Sequence, residues 1–108
     1  MDAQLKRGLL EVCVLADLAR GDSYGYQLIK DISACVDISE STLYPILKRL
    51  ETSRLLTVYG VEHNGRLRKY YRITPAGQER INSFTREWQE VRAIYDFIRA
   101  GKGDSGHE

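Results

Sequence analysis

Ser41, Thr42, Tyr44, Pro45, Lys48 and Arg49 fall within one nine-residue run, and Arg66, Arg68 and Lys69 follow an Asn64-Gly65 pair shortly after. Hydroxyls, a phenol, ammonium and guanidinium groups at this density suit non-covalent recognition of an anion. They donate hydrogen bonds to phosphate oxygens and neutralise their charge, and Lys and Arg also fit guanine edges. Nothing else in the sequence suggests covalent chemistry. The two histidines, His63 and His107, sit in a turn and near the C-terminus, and there is no glycine-rich phosphate loop, paired-carboxylate constellation or nucleophile motif. The sequence therefore predicts no enzyme and no cofactor. Cys13 and Cys35 have no His or Cys at metal-ligand spacing, so no metal site is expected. They read as reduced cysteines acting as small hydrophobes, with a redox-sensing role as the alternative.

The elements that must hold these groups can be read from periodicity. Leu43, Ile46, Leu47 and Leu50 are spaced i, i+3, i+4, i+7, which predicts a helix over 40–53 with Ser39 as its N-cap. Its apolar face belongs to the core, and its opposite face carries Ser41, Thr42, Tyr44, Pro45, Lys48 and Arg49. Ser41 and Thr42 lie at the helix start, where free backbone N–H groups and the helix dipole favour phosphate. Pro45 breaks the rule for a helix interior, because its ring opposes the carbonyl of Ser41. It marks a functional surface or merely stiffens the first turn.

Upstream, residues 4–19 read as a helix apolar on more than one side, with Leu5, Leu9, Val12, Cys13 and Ala16 on one face and Leu10, Val14, Leu15 and Leu18 elsewhere. Ser23 is a candidate N-cap for a second helix over 24–35, and Val36-Asp37-Ile38 makes the turn to the third. Downstream, 55–62 and 67–73 have strand character. The Asn64-Gly65 pair between them suits a type I′ hairpin, which requires positive φ at both central residues. Arg66, Arg68 and Lys69 cluster at the tip of that hairpin rather than spreading along it. This favours nucleic-acid contact over the common use of edge charges against aggregation.

Thr74-Pro75 opens a last helix running to about Ala100: Thr as N-cap, Pro at the first helical position. Ile81, Phe84, Trp88, Val91, Tyr95 and Ile98 are spaced 3, 4, 3, 4, 3, a heptad seam, and Ile94 and Phe97 widen it. Two copies joined there would present two reading helices to a two-fold-related DNA site. The same seam could instead fold back on the chain's own first helix. Trp88 on it is dimer core or the wall of a pocket for a planar apolar ligand. The predicted organisation is 1–74 for DNA binding, 75–100 for dimerisation, and a disordered tail over 101–108.

The net charge is +1 over 108 residues, but it is unevenly placed: −2 over 1–39, +4 over 40–72 and −1 over 73–108. The positive field coincides with the candidate reading helix and hairpin. No run of apolar residues is long enough for a transmembrane helix and no signal-peptide pattern opens the chain, so a cytoplasmic location is expected.

Over roughly residues 4–98 the sequence resembles the PadR family of transcriptional regulators. The carrying motifs are Leu9-Leu10-Glu11 with Leu15-Ala16, Tyr24-Gly25-Tyr26-Gln27-Leu28, the run from Ile38 through Ser41-Thr42-Leu43-Tyr44-Pro45 to Glu51, and Arg68-Lys69-Tyr70-Tyr71-Arg72-Ile73-Thr74 followed by Gly77. The resemblance implies a homodimeric repressor, with Thr42, Tyr44, Pro45 and Lys48 on the DNA-facing helix and Arg68 and Lys69 in the wing. It also implies a dimer interface made by the last and first helices, with Leu5 and Leu9 of the first helix contributing. Some members respond to phenolic acids, and others bind flat apolar drugs between paired tryptophans of the last helix, which makes Trp88 the candidate here. The sequence departs from the family at Thr52-Ser53-Arg54, where a glycine is common.

The expected fold is thus mainly α with a small β-hairpin, a winged helix-turn-helix plus a long C-terminal dimerisation helix. The expected function is a sequence-specific, homodimeric transcriptional repressor that binds an inverted-repeat operator in double-stranded DNA and is relieved by a small planar or phenolic effector. The competing expectation is a winged-helix module that binds protein without DNA, in which case the basic hairpin residues would be dispensable.

Overall fold

A computed structural model describes residues 1–103. Its elements run α1 (Ala3–Ala19), α2 (Gly25–Ser33), α3 (Glu40–Thr52), β1 (Leu56–His63), β2 (Arg66–Ile73) and α4 (Pro75–Gly103). This is the expected mainly helical, winged helix-turn-helix order. Gly101–Gly103 continue α4 beyond Ala100, where the sequence predicted the tail to begin. The rest of that predicted tail, 104–108, lies outside the described residues.

α1 is capped by Asp2, whose carboxylate accepts from the Leu5 amide at 2.9 Å. Its interior side chains Leu10, Val14, Leu15 and Leu18 meet Leu28 and Ile32 of α2 and Leu43, Ile46, Leu47 and Leu50 of α3 in one buried cluster that extends to Leu56 and Tyr71 of the hairpin. The positions on α2 and α3 follow from helical spacing, whereas on α1 the face grouped by spacing is not the core face, since Leu5 and Ala16 are exposed. The apolar stripes are what bring the three helices into one layer, leaving the polar face of α3 outside. Cys13 is half-buried against this core, Cys35 is exposed, and both are free thiols. Burial, and next the neighbouring Cys35, push the Cys13 thiol up.

The hairpin pairs antiparallel from Leu56↔Ile73 to His63↔Arg66. Asn64 and Gly65 take φ of 53° and 77°, the double positive pair that the turn demands. Ser23 proves not to be the cap of α2. Tyr24 occupies that position, while Ser23 forms a bridge to β2: its amide donates to the Tyr71 carbonyl at 3.2 Å, and its carbonyl accepts from the Tyr71 amide at 2.8 Å. A serine before a helical pattern signals a cap only locally, and here a partner 48 residues away in sequence claims its backbone.

α3 ends at Ser53, and Arg54 turns the chain with φ 64°, the left-handed conformation that a glycine would adopt without strain. The Arg54 carbonyl is taken by the Thr74 hydroxyl at 2.8 Å, and the same hydroxyl accepts from the Gly77 amide at 3.1 Å, capping α4. Gly77 is buried where a Cβ would stand 2.2 Å from the Leu55 carbonyl oxygen, so the start of α4 lies directly on the entry to β1. Of the predicted seam, Ile81 packs on the core and Phe84 is half-buried. Beyond Phe84 every residue of α4 whose exposure is described lies open, and the molecule reaches 65 Å along its long axis. Among the described residues, no helix is long and apolar enough to cross a membrane.

Candidate nucleic-acid interface

The polar face of α3 is built as its spacing predicts. Ser41, Thr42, Tyr44, Pro45 and Lys48 are exposed on one side while Leu43, Ile46, Leu47 and Leu50 are buried on the other. Ser39 holds the N-cap position, but its hydroxyl bonds no backbone amide; it meets Ser41 Oγ at 3.0 Å and Thr42 Oγ1 at 3.3 Å. Three hydroxyls therefore gather at the start of α3, beside amides without helical partners. Pro45 is the sixth residue of the helix, so the Ser41 carbonyl lacks its i+4 donor on this same face.

Arg49 borders that surface, lining a hollow with Ser41, Thr42 and Pro45, but it is tied to α1. Its Nε donates to Glu11 Oε2 of α1 at 3.0 Å, and Arg80 of α4 approaches the other carboxylate oxygen at 3.8 Å. Nη2 lies 2.9 Å from the same Glu11 oxygen without a hydrogen bond, so Nε carries the directed contact. Position 49 lies between the two faces of α3. One carboxylate on α1 decides which way its side chain turns, a choice helical periodicity does not reveal.

Tyr44 does more than face outward. A Cβ on Gly25 would lie 2.3 Å from the Tyr44 hydroxyl, so the phenol rests on the bare backbone at the start of α2. That close approach gives Gly25 its purpose in the Tyr24-Gly25-Tyr26 run. Across from it stands the hairpin, and between them runs a cleft of about 620 Å³ lined by Tyr24, Tyr26, Tyr44, Leu67, Arg68 and Lys69, among others. Arg68 and Lys69, adjacent in sequence, point to opposite faces of β2. Arg66 shares the face of Arg68 at the tip, where it is fully open.

The wing is tied to the α1–α2 loop by charge and by aromatic stacking. Asp22 accepts from the Tyr59 hydroxyl at 2.6 Å and from Arg72 Nε at 2.9 Å. The hydrogen bond to Asp22 pushes the Tyr59 phenol above its usual range and keeps the Arg72 guanidinium firmly charged. Sequence reasoning missed Asp22, Tyr24 and Tyr59. The only available signal was the alternation of Tyr70 and Arg72 along β2, which puts both on the face of Arg68.

On α4, Trp88 stacks on Phe84 with ring centroids 5.6 Å apart and remains 40% exposed. Val91, Ile94, Tyr95, Phe97 and Ile98 are exposed as well, as is Leu5 on α1; Leu9 is half-buried. Among the described residues, no group of three or more His, Cys, Asp or Glu side chains could hold a metal ion.

The model of the transcriptional regulator PadR-like family matches residues 14–83. The transcriptional regulator Rv3488 of Mycobacterium tuberculosis is 32% identical over 105 residues, covering 96% of this chain and 92% of that protein. The uncharacterized protein X of Lysinibacillus sphaericus is 36% identical over 100 residues, covering 88% and 92%. Among solved structures, smu.1704 of Streptococcus mutans superposes with a TM-score of 0.79 at 41% identity, over 90% of this chain and 92% of the other.

Proposed function

The chain belongs to the PadR-like family of transcriptional regulators, and on that premise we propose that it is a homodimeric, sequence-specific DNA-binding repressor of the cytoplasm. The observation that carries this reading is the continuity of one exposed surface. Tyr44, on the exposed face of α3 that also carries Ser41 and Lys48, lines the same cleft as Arg68 and Lys69. A major groove about 12 Å wide admits one helix, and a hairpin beside it reaches the adjacent backbone or minor groove. Thr42, Tyr44, Pro45 and Lys48 then meet base edges and the near phosphates. Ser41 and the α3 amides hold a phosphate, and Arg66, Arg68 and Lys69 follow the flanking strand. Arg49, tied to Glu11, borders the same face beside Ser41, Thr42 and Pro45.

Two copies joined along α4 would present two such surfaces to an inverted repeat. The partly open Trp88–Phe84 stack supports a site for a planar or phenolic effector between subunits, where binding would alter the spacing of the two reading helices. The test is fluorescence anisotropy with duplexes from the protein's own upstream region. The expected result is sub-micromolar binding to an inverted repeat, falling steeply with salt. Binding no tighter than to scrambled DNA would sink the reading. Quenching of Trp88 emission by planar aromatic compounds, with release of the duplex, is the corresponding test of the effector.

A further inference from the structure

The guanidinium carbon of Arg68 lies 4.1 Å from the centre of the Tyr24 ring. Tyr24 meets Tyr70 edge-on at 5.4 Å, Tyr70 stacks on Tyr59 at 5.8 Å and 21°, and Arg72 covers Tyr59 at 4.9 Å. Asp22 closes this ladder at its far end through Tyr59 and Arg72. The ladder joins two parts of the chain far apart in sequence, the loop entering α2 and the wing. Tyr24 is fixed on the loop side: its carbonyl accepts from Leu28 in the first turn of α2, and the preceding Ser23 is bridged to Tyr71. The two arginines of the ladder are held differently. Arg72 spends its Nε on a carboxylate, whereas Arg68 has no carboxylate partner among the described residues and is held by a ring face alone. A ring face attracts the cation without occupying its N–H groups. Arg68 is thus restrained in place with all its donors free, at the edge of the cleft between wing and α3.

We propose that Tyr24 is a positioning residue for DNA binding, which acts through Arg68 by holding its guanidinium over the cleft in the orientation that meets a DNA phosphate or base edge. This rests on the DNA-binding reading above and adds to it a residue that touches no DNA. Without the ring, Arg68 samples its rotamers freely, and ordering it on the duplex becomes a cost of binding.

A double-mutant cycle on the full chain tests this, using a duplex enriched from a random library by the wild-type protein. Arg68→Ala is expected to weaken binding about tenfold and lower the salt slope by about one ion. Tyr24→Ala is expected to weaken it about fivefold, Tyr24→Phe to bind like wild type, and Tyr24→Ala/Arg68→Ala to bind no worse than Arg68→Ala alone. Tyr24→Leu keeps apolar bulk without the ring's charge distribution; it should match Tyr24→Ala in binding while folding normally by circular dichroism. Losses that multiply in the double variant would overturn the proposal, as would a Tyr24→Phe variant as weak as Tyr24→Ala. An Arg68→Ala variant that binds like wild type would remove this inference and leave the DNA reading standing. A wild-type protein that enriches no sequence takes down both.

Discussion

Asp17, near the end of α1, shows how much one side chain's surroundings matter. Its carboxyl is raised to about 6, first by burial, then by a hydrogen bond with Asp31 of α2 and by that residue's charge, with Arg20 opposing. Asp31 moves the other way, lowered first by the Gln27 amide, which donates to it at 2.8 Å, and then by Asp17. Asp17 Oδ2 is buried without a hydrogen-bond partner, so protonation, which would let it donate toward Asp31, is favoured. Because the folded value for Asp17 lies above its ordinary one, the folded state holds this proton more tightly, so the contribution to stability is present in acid and lost as pH rises through about 6. The lowered Asp31 offsets part of this in the opposite direction. Asp17→Asn keeps a donor toward Asp31 at every pH. Urea unfolding should find the variant more stable than wild type at pH 8, by about 1 kcal/mol after solvent screening, and no more stable at pH 5. Equal stability at pH 8 would show that the two carboxyls do not interact. On the exposed side of α3, Lys48 is an exposed cation with no side-chain ion pair among the described residues. Lys48→Ala should therefore leave the melting temperature unchanged and weaken duplex binding by roughly tenfold in anisotropy titrations.

At the scale of elements, what the sequence revealed and what it hid divide by the range of the interaction involved. The buried stripes of α2 and α3 were legible because helical spacing alone creates them, and the hairpin was legible because Asn64-Gly65 carries its own turn chemistry; on α1 the spacing grouped Leu5, Leu9, Val12, Cys13 and Ala16, whereas Leu10, Val14, Leu15 and Leu18 form the core. The candidate face of α3 followed from the same spacing, but the tie of Arg49 to Glu11, 38 residues earlier, did not. The role of Ser23 was hidden for the same reason, and so was the ladder from Asp22 to Arg68. The α3–β1 junction departs from local preference altogether, with Arg54 held left-handed because Thr74 anchors its carbonyl. Arg54→Gly should relieve that strain and raise unfolding free energy by about 0.5–1 kcal/mol, net of glycine's greater chain entropy. Gly77→Ala should act in the opposite sense and more strongly. The added methyl meets the Leu55 carbonyl oxygen, which belongs to the backbone and cannot rotate away, so a loss of about 2–3 kcal/mol is expected in thermal or urea unfolding. A neutral Gly77→Ala would mean that α4 is free to lift off the hairpin.

The whole molecule poses the problem that a single chain does not solve. From Trp88 onward α4 leaves the core, and it carries Ile94 60% exposed, Phe97 78% exposed and Ile98 58% exposed into solvent. Single exposed apolar residues are ordinary, but a stripe of them along one element marks an interaction surface. The internal alternative, a seam folded back on α1, is satisfied at Ile81, which packs on the core. Phe84 is half-buried, and the geometry of a straight helix carries the later positions away from the core. A second copy is the simplest cover. It shares the heptad register, and burying such a stripe from both sides releases roughly 25 cal/mol per Å² of apolar surface. The wild-type chain should sediment at about twice its 12.4 kDa mass at micromolar concentration. Ile94→Glu/Ile98→Glu places like charges on the seam without touching the core. That variant should sediment as a monomer, keep its circular dichroism spectrum, and bind an isolated half-site as wild type does. It should lose the extra affinity for the inverted repeat, by a hundredfold or more on the usual scale of linked sites. A variant that stays dimeric would place the interface elsewhere. A monomeric variant with undiminished affinity for the full repeat would show that one reading helix suffices, and that α4 serves some other partner.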